Sequence, residues 1–359
     1  MSDFVMHITG ARPNFPKAAP VIRALDTLGL PQRLVHTGQH YDDHMSEVFF
    51  RQLALPKPDV NLGVGSGSHA KQTAAVMVGL EDLIAERRPA MVVVYGDVNS
   101  TVAAALVASK LGIPIAHVEA GLRSFDMTMP EEINRLVTDR LSDLLFATSP
   151  DAIAHLGNEG VAPHKIHFVG NPMIDTLLAN IDRFDTDRAR LDYGLADRYI
   201  VGTLHRPANV DDPADAAALV KSLHAVADSV EFVLPLHPRG RAGLTQAGLL
   251  THPALRVIDP LGYVEFMGLV RGAAAVVTDS GGVQEETTIL GVPCLTLRPN
   301  TERPVTITHG TNQLVTREAL PVAVEDCLRA GRSETWPIPA LWDGNAGPRI
   351  ASAISGYLA

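Results

Sequence analysis

Groups that exchange protons or hold phosphates follow many of the short apolar segments of this sequence. Gly96-Asp97 follows one such segment, Glu119 ends another, and His205-Arg206 follows a third. Carboxylates and imidazoles are the usual proton donors and acceptors in proteins, and arginine is a frequent anion ligand. Any one of these positions is compatible with an ordinary solvated loop, but their recurrence indicates a shared ligand site.

A second kind of chemistry is indicated by Asp279-Ser280-Gly281-Gly282, which lies between a predicted strand and a predicted helix. Glycines let the backbone approach a ligand, and the free N–H groups at a helix start attract an anion. Arg12, Lys17 and Arg303 are candidate cations for a diphosphate. The alternative is that Ser280 only caps the helix. No Walker lysine motif or GxGxxG follows a strand, which argues against an ATPase and a dinucleotide oxidoreductase.

Thr128–Arg135 predicts the start of a helix with charged residues in its first turns. Thr128 is the expected N-cap, Pro130 lies in the first turn, and Glu131 has the spacing of a capping box. Arg135, four residues after Glu131, is within ion-pair reach of it. Spacing alone leaves open whether Glu131 only caps the helix. The histidines lack the spacing of metal ligands, so no metal site is expected.

These groups must be positioned by a framework of alternating strands and helices, which predicts βαβ units and parallel sheets. The predicted strands are 4–8, 33–37, 91–95, 115–118, 144–148, 166–169, 199–204, 231–236, 273–278 and 293–297. The predicted helices include 18–28, 72–86, 100–111, 131–141, 214–228, 263–271 and 283–290. Ten strands exceed one comfortable sheet, so two doubly wound domains are expected, with a break at Gly170-Asn171-Pro172. The last segment, 348–358, is expected to be a helix that returns to either domain.

The composition of the 359 residues excludes several classes of protein. The net charge is −10, which disfavours nucleic acid or an anionic membrane as a partner. With 46% hydrophobic and 19% charged residues, the chain is expected to fold around full cores. Two cysteines cannot form a disulfide framework. We find no signal peptide or membrane segment and therefore expect a cytoplasmic protein.

Taken together, the motifs resemble the non-hydrolysing UDP-N-acetylglucosamine 2-epimerases over essentially the whole chain. They are Gly10-Ala11-Arg12-Pro13 with Lys17, Thr37-Gly38-Gln39-His40, Tyr95-Gly96-Asp97, His117-Val118-Glu119-Ala120-Gly121-Leu122-Arg123, Pro130-Glu131-Glu132-Ile133-Asn134-Arg135, Gly170-Asn171, His205-Arg206, 278–286 and Thr301-Glu302-Arg303-Pro304. The resemblance implies a GT-B architecture, in which two Rossmann-like doubly wound α/β domains face a central cleft. It places residues 1–170 plus 345–359 in the N-terminal domain and 171–344 in the C-terminal, UDP-binding domain.

The resemblance also implies the site residues. The acid–base groups would be Asp97, Glu119, Glu131 and His205, gathered around the sugar in the cleft. The substrate contacts would be Arg12, Lys17, Arg135, Phe266, Ser280, Gly281, Gly282, Glu286 and Arg303. No NAD, metal or other cofactor is implied; the partners are a UDP-sugar and a second copy in a homodimer. The family's usual use is the supply of sugars for surface polysaccharides.

The implied reaction is reversible epimerisation at C2 through loss and re-addition of UDP. Two segments depart from the family. His205-Arg206 continues as Pro207-Ala208 where the family often reads Arg-Glu, and Gln39-His40-Tyr41-Asp42 replaces a segment that helps some members hold a second UDP-sugar. The alternatives are a GT-B glycosyltransferase, an epimerase for a related UDP-sugar, a hydrolysing epimerase, and a non-catalytic UDP-sugar sensor.

Overall fold

Two parallel sheets organise the chain, each with its own helices. The computed structural model describes residues 4–38, 43–206, 209, 212–236 and 238–359. The residues divide into two units: the first runs to Ala179 and includes Ala340–Ala359, and the second is Asn180–Pro339. The prediction of two doubly wound α/β domains is confirmed. No helix in the described ranges is both long enough and apolar enough to span a membrane.

The first unit contains a seven-stranded parallel sheet in the order β3-β2-β1-β4-β5-β6-β7. Its strands are β1 Val5–Thr9, β2 Gln32–His36, β3 Val60–Asn61, β4 Met91–Tyr95, β5 Ile115–Ala120, β6 Leu144–Ala147 and β7 Ile166–Phe168. Strands β1, β4, β5 and β6 are buried along their whole length. This is why their sequences are nearly continuous apolar runs, since helices cover both faces of the sheet.

The helices of the first unit connect successive strands. They are α1 Phe15–Thr27, α2 Asp43–Gln52, α3 His69–Glu86, α4 Asn99–Lys110, α5 Pro130–Leu141, α6 Pro150–Asn158 and α7 Pro172–Ala179. The final helix of the chain, which we label α15 (Ala346–Leu358), packs against α1 and α7. The predicted C-terminal helix therefore exists, and it belongs to the first unit.

The second unit repeats this arrangement with six parallel strands in the order β10-β9-β8-β11-β12-β13. The strands are β8 Tyr199–Thr203, β9 Glu231–Pro235, β10 Leu255–Ile258, β11 Ala275–Thr278, β12 Cys294–Thr296 and β13 Asn312–Leu314. The helices are α8 Thr186–Asp192, α9 Pro213–Ala227, α10 Pro238–Gln246, α11 Tyr263–Gly272, α12 Gly281–Leu290, α13 Val305–Thr308 and α14 Leu320–Ala330.

Three edge strands, β3, β10 and β13, were not among the predicted strands. Each is two to four residues long and only partly buried, so none has the continuous apolar run of a central strand. The boundary between the two units lies after Ala179 and not near residue 170, because α7 packs on α1. Thr176 on α7 donates its hydroxyl hydrogen to the Pro16 carbonyl at 2.6 Å.

The start of α15 is fixed by Asp175 on α7. Its two carboxylate oxygens accept hydrogen bonds from the backbone N–H groups of Ala346 and Gly347, at 3.1 and 2.7 Å. These N–H groups would otherwise lack a partner in the first helical turn. The two bonds therefore dock the chain's last helix on the first unit.

Two glycines of α15 provide a test of this docking. A Cβ atom at Gly347 would lie 2.6 Å from the Pro20 carbonyl oxygen, whereas one at Gly356 would meet nothing within 4 Å. We predict that Gly347→Ala lowers the free energy of unfolding by roughly 1–3 kcal/mol, the usual cost of overpacking. Gly356→Ala is the matched control and should raise it by up to about 1 kcal/mol through helix propensity. Urea unfolding measures both, and equal effects of the two substitutions would contradict the close approach of α15 to α1.

Candidate active site

In each unit, several of the predicted site residues lie where the strand order reverses. In the first unit this point lies between β1 and β4, and in the second between β8 and β11. Ligands of doubly wound sheets bind beyond the carboxyl ends of the strands at such a point. Arg12 follows β1 and Asp97 follows β4, while His205 follows β8 and Asp279 follows β11.

In the first unit, Lys17 and Glu119 form a buried ion pair beside Gly96. Lys17 lies in the first turn of α1, Glu119 near the end of β5, and the Lys17 Nζ donates to Glu119 Oε2. A Cβ atom on Gly96 would lie 2.9 Å from that Nζ and 3.2 Å from that Oε2, and its φ is +62°. The left-handed backbone therefore favours glycine at the end of β4, and a side chain there would displace the ends of Lys17 and Glu119.

The backbone of Glu119 is held in an unusual conformation. Its φ is +74°, which costs a non-glycine residue on the order of 1–3 kcal/mol, and the β5–β6 register shifts between Val118 and Ala120. This bulge turns the Glu119 side chain toward Lys17 instead of along the ordinary alternation of the strand. Strained residues of this kind concentrate at functional sites.

Asp97 is oriented by Arg135 from α5. The Arg135 Nη1 donates to Asp97 Oδ2 at 2.5 Å, and the Asn134 amide donates to the Asp97 carbonyl at 2.8 Å. Arg135 also donates through Nη2 to Glu132, which is buried. The expected pair between Arg135 and Glu131 does not form; Glu132, three residues earlier on the same helix face, takes that place.

The first turn of α5 also differs from the prediction. The helix begins at Pro130 with Met129 as its N-cap, and Thr128 instead donates its hydroxyl hydrogen to Asp126 at 2.6 Å. The capping-box interpretation of Glu131 was therefore wrong. Glu131 is half-buried, and the contacts found within the described ranges include no hydrogen bond or ion pair of its carboxylate.

Glu132 was overlooked as a site residue because it neighbours Glu131 and repeats its type. Its carboxylate accepts hydrogen bonds from the Ser124 and Phe125 backbone N–H groups at 3.0 and 2.9 Å. Burial raises the pKa of Glu132, but the hydrogen bonds and charge of Arg135 and these N–H groups outweigh it, so its pKa is below the usual value.

In the second unit, Asp279 at the end of β11 holds the turn that carries His205. Its carboxylate lies 2.9 Å from His205 Nδ1 and accepts from the backbone N–H groups of His205 and Arg206 and from the Asn209 amide. Burial raises the pKa of Asp279, and the hydrogen bond and charge of His205 with the other donors lower it below its usual value. The His205 side chain is 56% exposed, so its Nε2 is available to a ligand.

The start of α12 has the features expected of an anion site. Ser280 occupies the N-cap position, but no hydrogen bond of its side chain to the helix backbone is found. The alternative that Ser280 only caps this helix is therefore unsupported. A Cβ atom on Gly281 would collide with the Arg303 guanidinium, which consequently lies directly against the helix start.

Arg303 is positioned by two buried carboxylates. It donates to Glu302 and forms an ion pair of 2.9 Å with Glu285 on α12, while Arg298 donates to the other oxygen of Glu302 at 2.6 Å. Sequence analysis included Arg303 but gave no role to Arg298 or Glu285. Glu285 lies on α12 and Arg303 in a later loop, so their pairing becomes visible only once the chain is folded.

Glu286 on α12 is fully buried next to the Tyr263 hydroxyl of α11. Burial raises its pKa to about 8, with the Tyr263 hydrogen bond acting in the opposite sense. Its Oε1 has no hydrogen-bond partner among the groups that the structure describes. Phe266, the predicted substrate contact on α11, is half-buried one turn beyond Tyr263.

Some predicted features lie outside the described residues. These are Gln39-His40-Tyr41-Asp42 and Pro207-Ala208. Within the described parts of the chain, no group of three or more histidine, cysteine, aspartate or glutamate side chains could hold a metal ion.

Comparison with known proteins gives matches along nearly the whole chain. A family model described as UDP-N-acetylglucosamine 2-epimerase matches residues 23–355. A UDP-N-acetylglucosamine 2-epimerase of Methanococcus maripaludis is 40% identical over 361 residues, covering 97% of both chains. A UDP-2,3-diacetamido-2,3-dideoxy-D-glucuronate 2-epimerase of Pseudomonas aeruginosa is 47% identical over 317 residues, covering 87% of this chain and 88% of that one.

A solved structure is similarly close. The crystal structure of Methanocaldococcus jannaschii UDP-GlcNAc 2-epimerase in complex with UDP-GlcNAc and UDP is 40% identical and aligns with a TM-score of 0.92. The alignment covers 98% of this chain and 99% of that one.

The raised pKa of Glu286 generates a prediction about stability. Between the ordinary glutamate pKa and about 8, the folded chain keeps a proton that the unfolded chain has lost, so the free energy of unfolding falls as pH rises. We expect Glu286→Gln to remove this fall: its melting temperature should rise relative to the unmodified chain between about pH 5 and about pH 9. Glu325→Gln, at an exposed position, is the control. A difference in melting temperature between Glu286→Gln and the unmodified chain that does not change with pH would contradict the prediction.

Proposed function

The chain belongs to the UDP-N-acetylglucosamine 2-epimerase family, and from this premise we propose that it reversibly converts UDP-N-acetylglucosamine into UDP-N-acetylmannosamine by eliminating and re-adding UDP. The observation that carries the proposal is the family match over residues 23–355. The intermediate is 2-acetamidoglucal. No cofactor takes part in this scheme, because the proton and the leaving group are the only species transferred.

We assign binding of the nucleotide diphosphate to the second unit. The N–H groups at the start of α12, from Ser280 to Gly282, and the guanidinium of Arg303 provide hydrogen-bond donors for phosphate oxygens. Glu286 offers a buried carboxyl oxygen to a hydroxyl group of the nucleotide, and Phe266 an aromatic face to the base. These roles are also the ones that the sequence resemblance implies.

We assign the sugar chemistry chiefly to the first unit. The C2 hydrogen is not next to a carbonyl, so the anomeric C–O bond must break, with UDP taking the bonding electrons and a base taking the C2 proton. Asp97, Glu119 and Glu131 are the candidate acids and bases, and carboxylates also favour an oxocarbenium-like ring. Lys17 and Arg135 orient two of them through ion pairs. Re-addition of UDP with protonation on the opposite face of C2 gives the epimer.

His205 is the proposed fourth acid–base group, and Asp279 holds its ring. With Nδ1 bound to Asp279, the exposed Nε2 can pass a proton to or from the bound UDP-sugar. Arg12, half-buried in the turn after β1, is a further candidate cation for the charge that develops on the leaving diphosphate.

One observation favours an alternative substrate, UDP-2,3-diacetamido-2,3-dideoxy-D-glucuronate. It is the 47% identity to the Pseudomonas aeruginosa 2-epimerase that is named for this sugar. The same elimination chemistry serves that sugar, because its C1, C2 and diphosphate are alike. The two sugars differ in their C3 and C6 substituents, so the residues that contact these substituents would select between them.

We also infer a homodimer in the cytoplasm that supplies sugars for polysaccharide synthesis. Exposed apolar side chains on α3 and α5, Val78 at 61% and Ile133 at 47%, support a second copy as partner. Both cysteines are free thiols, as is usual in a reducing compartment. The polysaccharide role rests on the family's usual use.

The reaction is tested by incubating UDP-N-acetylglucosamine with the chain alone in D₂O and following the sugars by NMR. We expect UDP-N-acetylmannosamine to form and deuterium to enter C2 of both sugars. Product without label would contradict the elimination route. Conversion only after addition of an acceptor would indicate a glycosyltransferase, and faster turnover of UDP-2,3-diacetamido-2,3-dideoxyglucuronate in parallel would select the alternative substrate.

The role of the first unit is tested by Glu119→Gln. The amide cannot take up a proton, so kcat should fall about 10²-fold or more, the usual scale for a lost acid or base. Binding of UDP, which we assign to the second unit, should persist in calorimetry. Glu325→Gln on α14 is the control for the same substitution at an exposed position. If kcat of Glu119→Gln were close to that of this control, Glu119 would not be an acid or base of the reaction.

A further inference from the structure

Beneath the turns that carry Asp97 and Glu119 lies a buried charged network, which we call the clamp and define as His117, Asp139 and Arg123. The His117 Nδ1 lies 2.6 Å from Asp139 Oδ1, and Arg123 Nη2 lies 2.7 Å from Asp139 Oδ2. All three side chains are at most 2% exposed. None of the three was assigned a role from the sequence.

The hydrogen bonds of His117 fix the orientation of its ring. Its Nε2 lies 2.8 Å from the Gly96 carbonyl oxygen, which can only accept, so Nε2 carries a hydrogen. Its Nδ1 lies 2.6 Å from Asp139 Oδ1. Burial raises the pKa of Asp139, but the charges and hydrogen bonds of His117 and Arg123 lower it below the usual value. Both ring nitrogens of His117 therefore have partners within the fold.

The clamp contacts the backbone on both sides of Glu119. His117 lies two residues before it, and Asp139 Oδ2 accepts from the Gly121 N–H at 3.1 Å, two residues after it. Arg123 donates to the neighbouring Leu122 carbonyl at 2.7 Å. The strained residue Glu119 therefore lies between His117, which belongs to the clamp, and Gly121 and Leu122, whose backbone groups the clamp binds.

The clamp also contacts the turn that carries Asp97. The Gly96 carbonyl bound by His117 belongs to the peptide that leads into Asp97, and the Gly96 N–H donates to the Val118 carbonyl at 3.0 Å. His117 thus links the end of β4 to β5 at the level of both carboxylates.

The charged groups of this region come from several elements. Asp139 and Arg135 lie on α5, Lys17 lies on α1, and Glu119 lies on β5. Arg123 is bound a second time by Glu159, just after α6, through two hydrogen bonds of 2.8 and 2.7 Å. His117 and Arg123 thus share the carboxylate of Asp139.

We propose that His117, held between Asp139 and the Gly96 carbonyl, is a positioning residue that fixes Asp97 and Glu119 relative to each other for the epimerisation. The inference rests on the proposed function of those two carboxylates. His117 does not itself exchange a proton with substrate, because it is completely buried and both of its nitrogens are occupied.

The orientation of the ring is tested by ¹⁵N NMR of the full chain with labelled histidine. One ring should show a hydrogen on Nε2 that exchanges slowly with water, because Nε2 is buried and bound to the Gly96 carbonyl. Its signals should vanish in His117→Gln. Asp139→Asn should keep this hydrogen on Nε2, because the amide can donate to Nδ1 and still accept from Gly121. A His117 ring with no hydrogen on Nε2 in the unmodified chain would overturn the proposal.

The positioning role is tested by kinetics with a matched control. His7→Gln removes another fully buried imidazole of the same sheet, which bonds Tyr95 and Gln32 and whose pKa burial lowers to about 4, so it is neutral. We expect His117→Gln to lower kcat roughly tenfold to a hundredfold, the scale of a misplaced catalytic group, with UDP affinity unchanged. His7→Gln should lower the melting temperature without this loss of kcat.

Asp139→Asn provides the second variant, because it preserves the bond from Nε2 to Gly96. Its kcat should lie between those of the unmodified chain and His117→Gln. Equal losses of kcat in His7→Gln and His117→Gln would reduce the clamp to general structural support and overturn the proposal. An unmodified chain that shows the Nε2–H signal of His117 but does not convert UDP-N-acetylglucosamine would overturn the proposed function instead.

Discussion

The geometry of the first unit's site depends on one peptide, that of Gly96 at the end of β4. Its Cα lies against the Lys17–Glu119 ion pair, its N–H donates to β5, and its carbonyl accepts from His117. A side chain at this position would separate the ion pair or reverse the turn. Asp97 follows Gly96 directly. The Gly96 peptide therefore influences both the location of the Asp97 carboxylate and the orientation of the Glu119 carboxylate.

Around the proposed site residues, charges are arranged in buried pairs. Removing a charge from water costs several kcal/mol, which is recovered only with good geometry and further hydrogen bonds. Such pairs contribute little to stability compared with apolar packing, but they permit few orientations. Lys17 with Glu119 and Arg303 with Glu285 each link a helix to a loop or strand end, and each therefore orients a proposed site residue.

The second unit uses the same principle at the equivalent point of its sheet. Asp279, completely buried at the end of β11, binds the backbone and ring of His205 after β8. One buried carboxylate thus organises a turn on the neighbouring strand, as Asp139 does through His117 in the first unit. In both units a carboxylate that is unavailable to substrate determines the position of groups that are available.

Several features of the site were beyond the reach of sequence patterns. Glu131 and Glu132 are equivalent in composition, and only the direction of α5 buries Glu132 against Arg135 and leaves Glu131 half-exposed. Thr128 has the spacing of an N-cap, yet its hydroxyl has a closer acceptor in Asp126. The partner that each of these side chains binds depends on which acceptor or donor the folded backbone places within hydrogen-bond distance.

The sequence by itself determined the order of strands and helices and which turns carry polar groups. This is because burial on both sides of a parallel sheet imposes apolar runs that end abruptly at the site. The tertiary structure alone decided which charges pair across strands, that Glu119 adopts a left-handed backbone, and that α15 returns to the first unit. Those outcomes depend on contacts between residues of different elements, such as Lys17 on α1 with Glu119 on β5, and no local pattern specifies them.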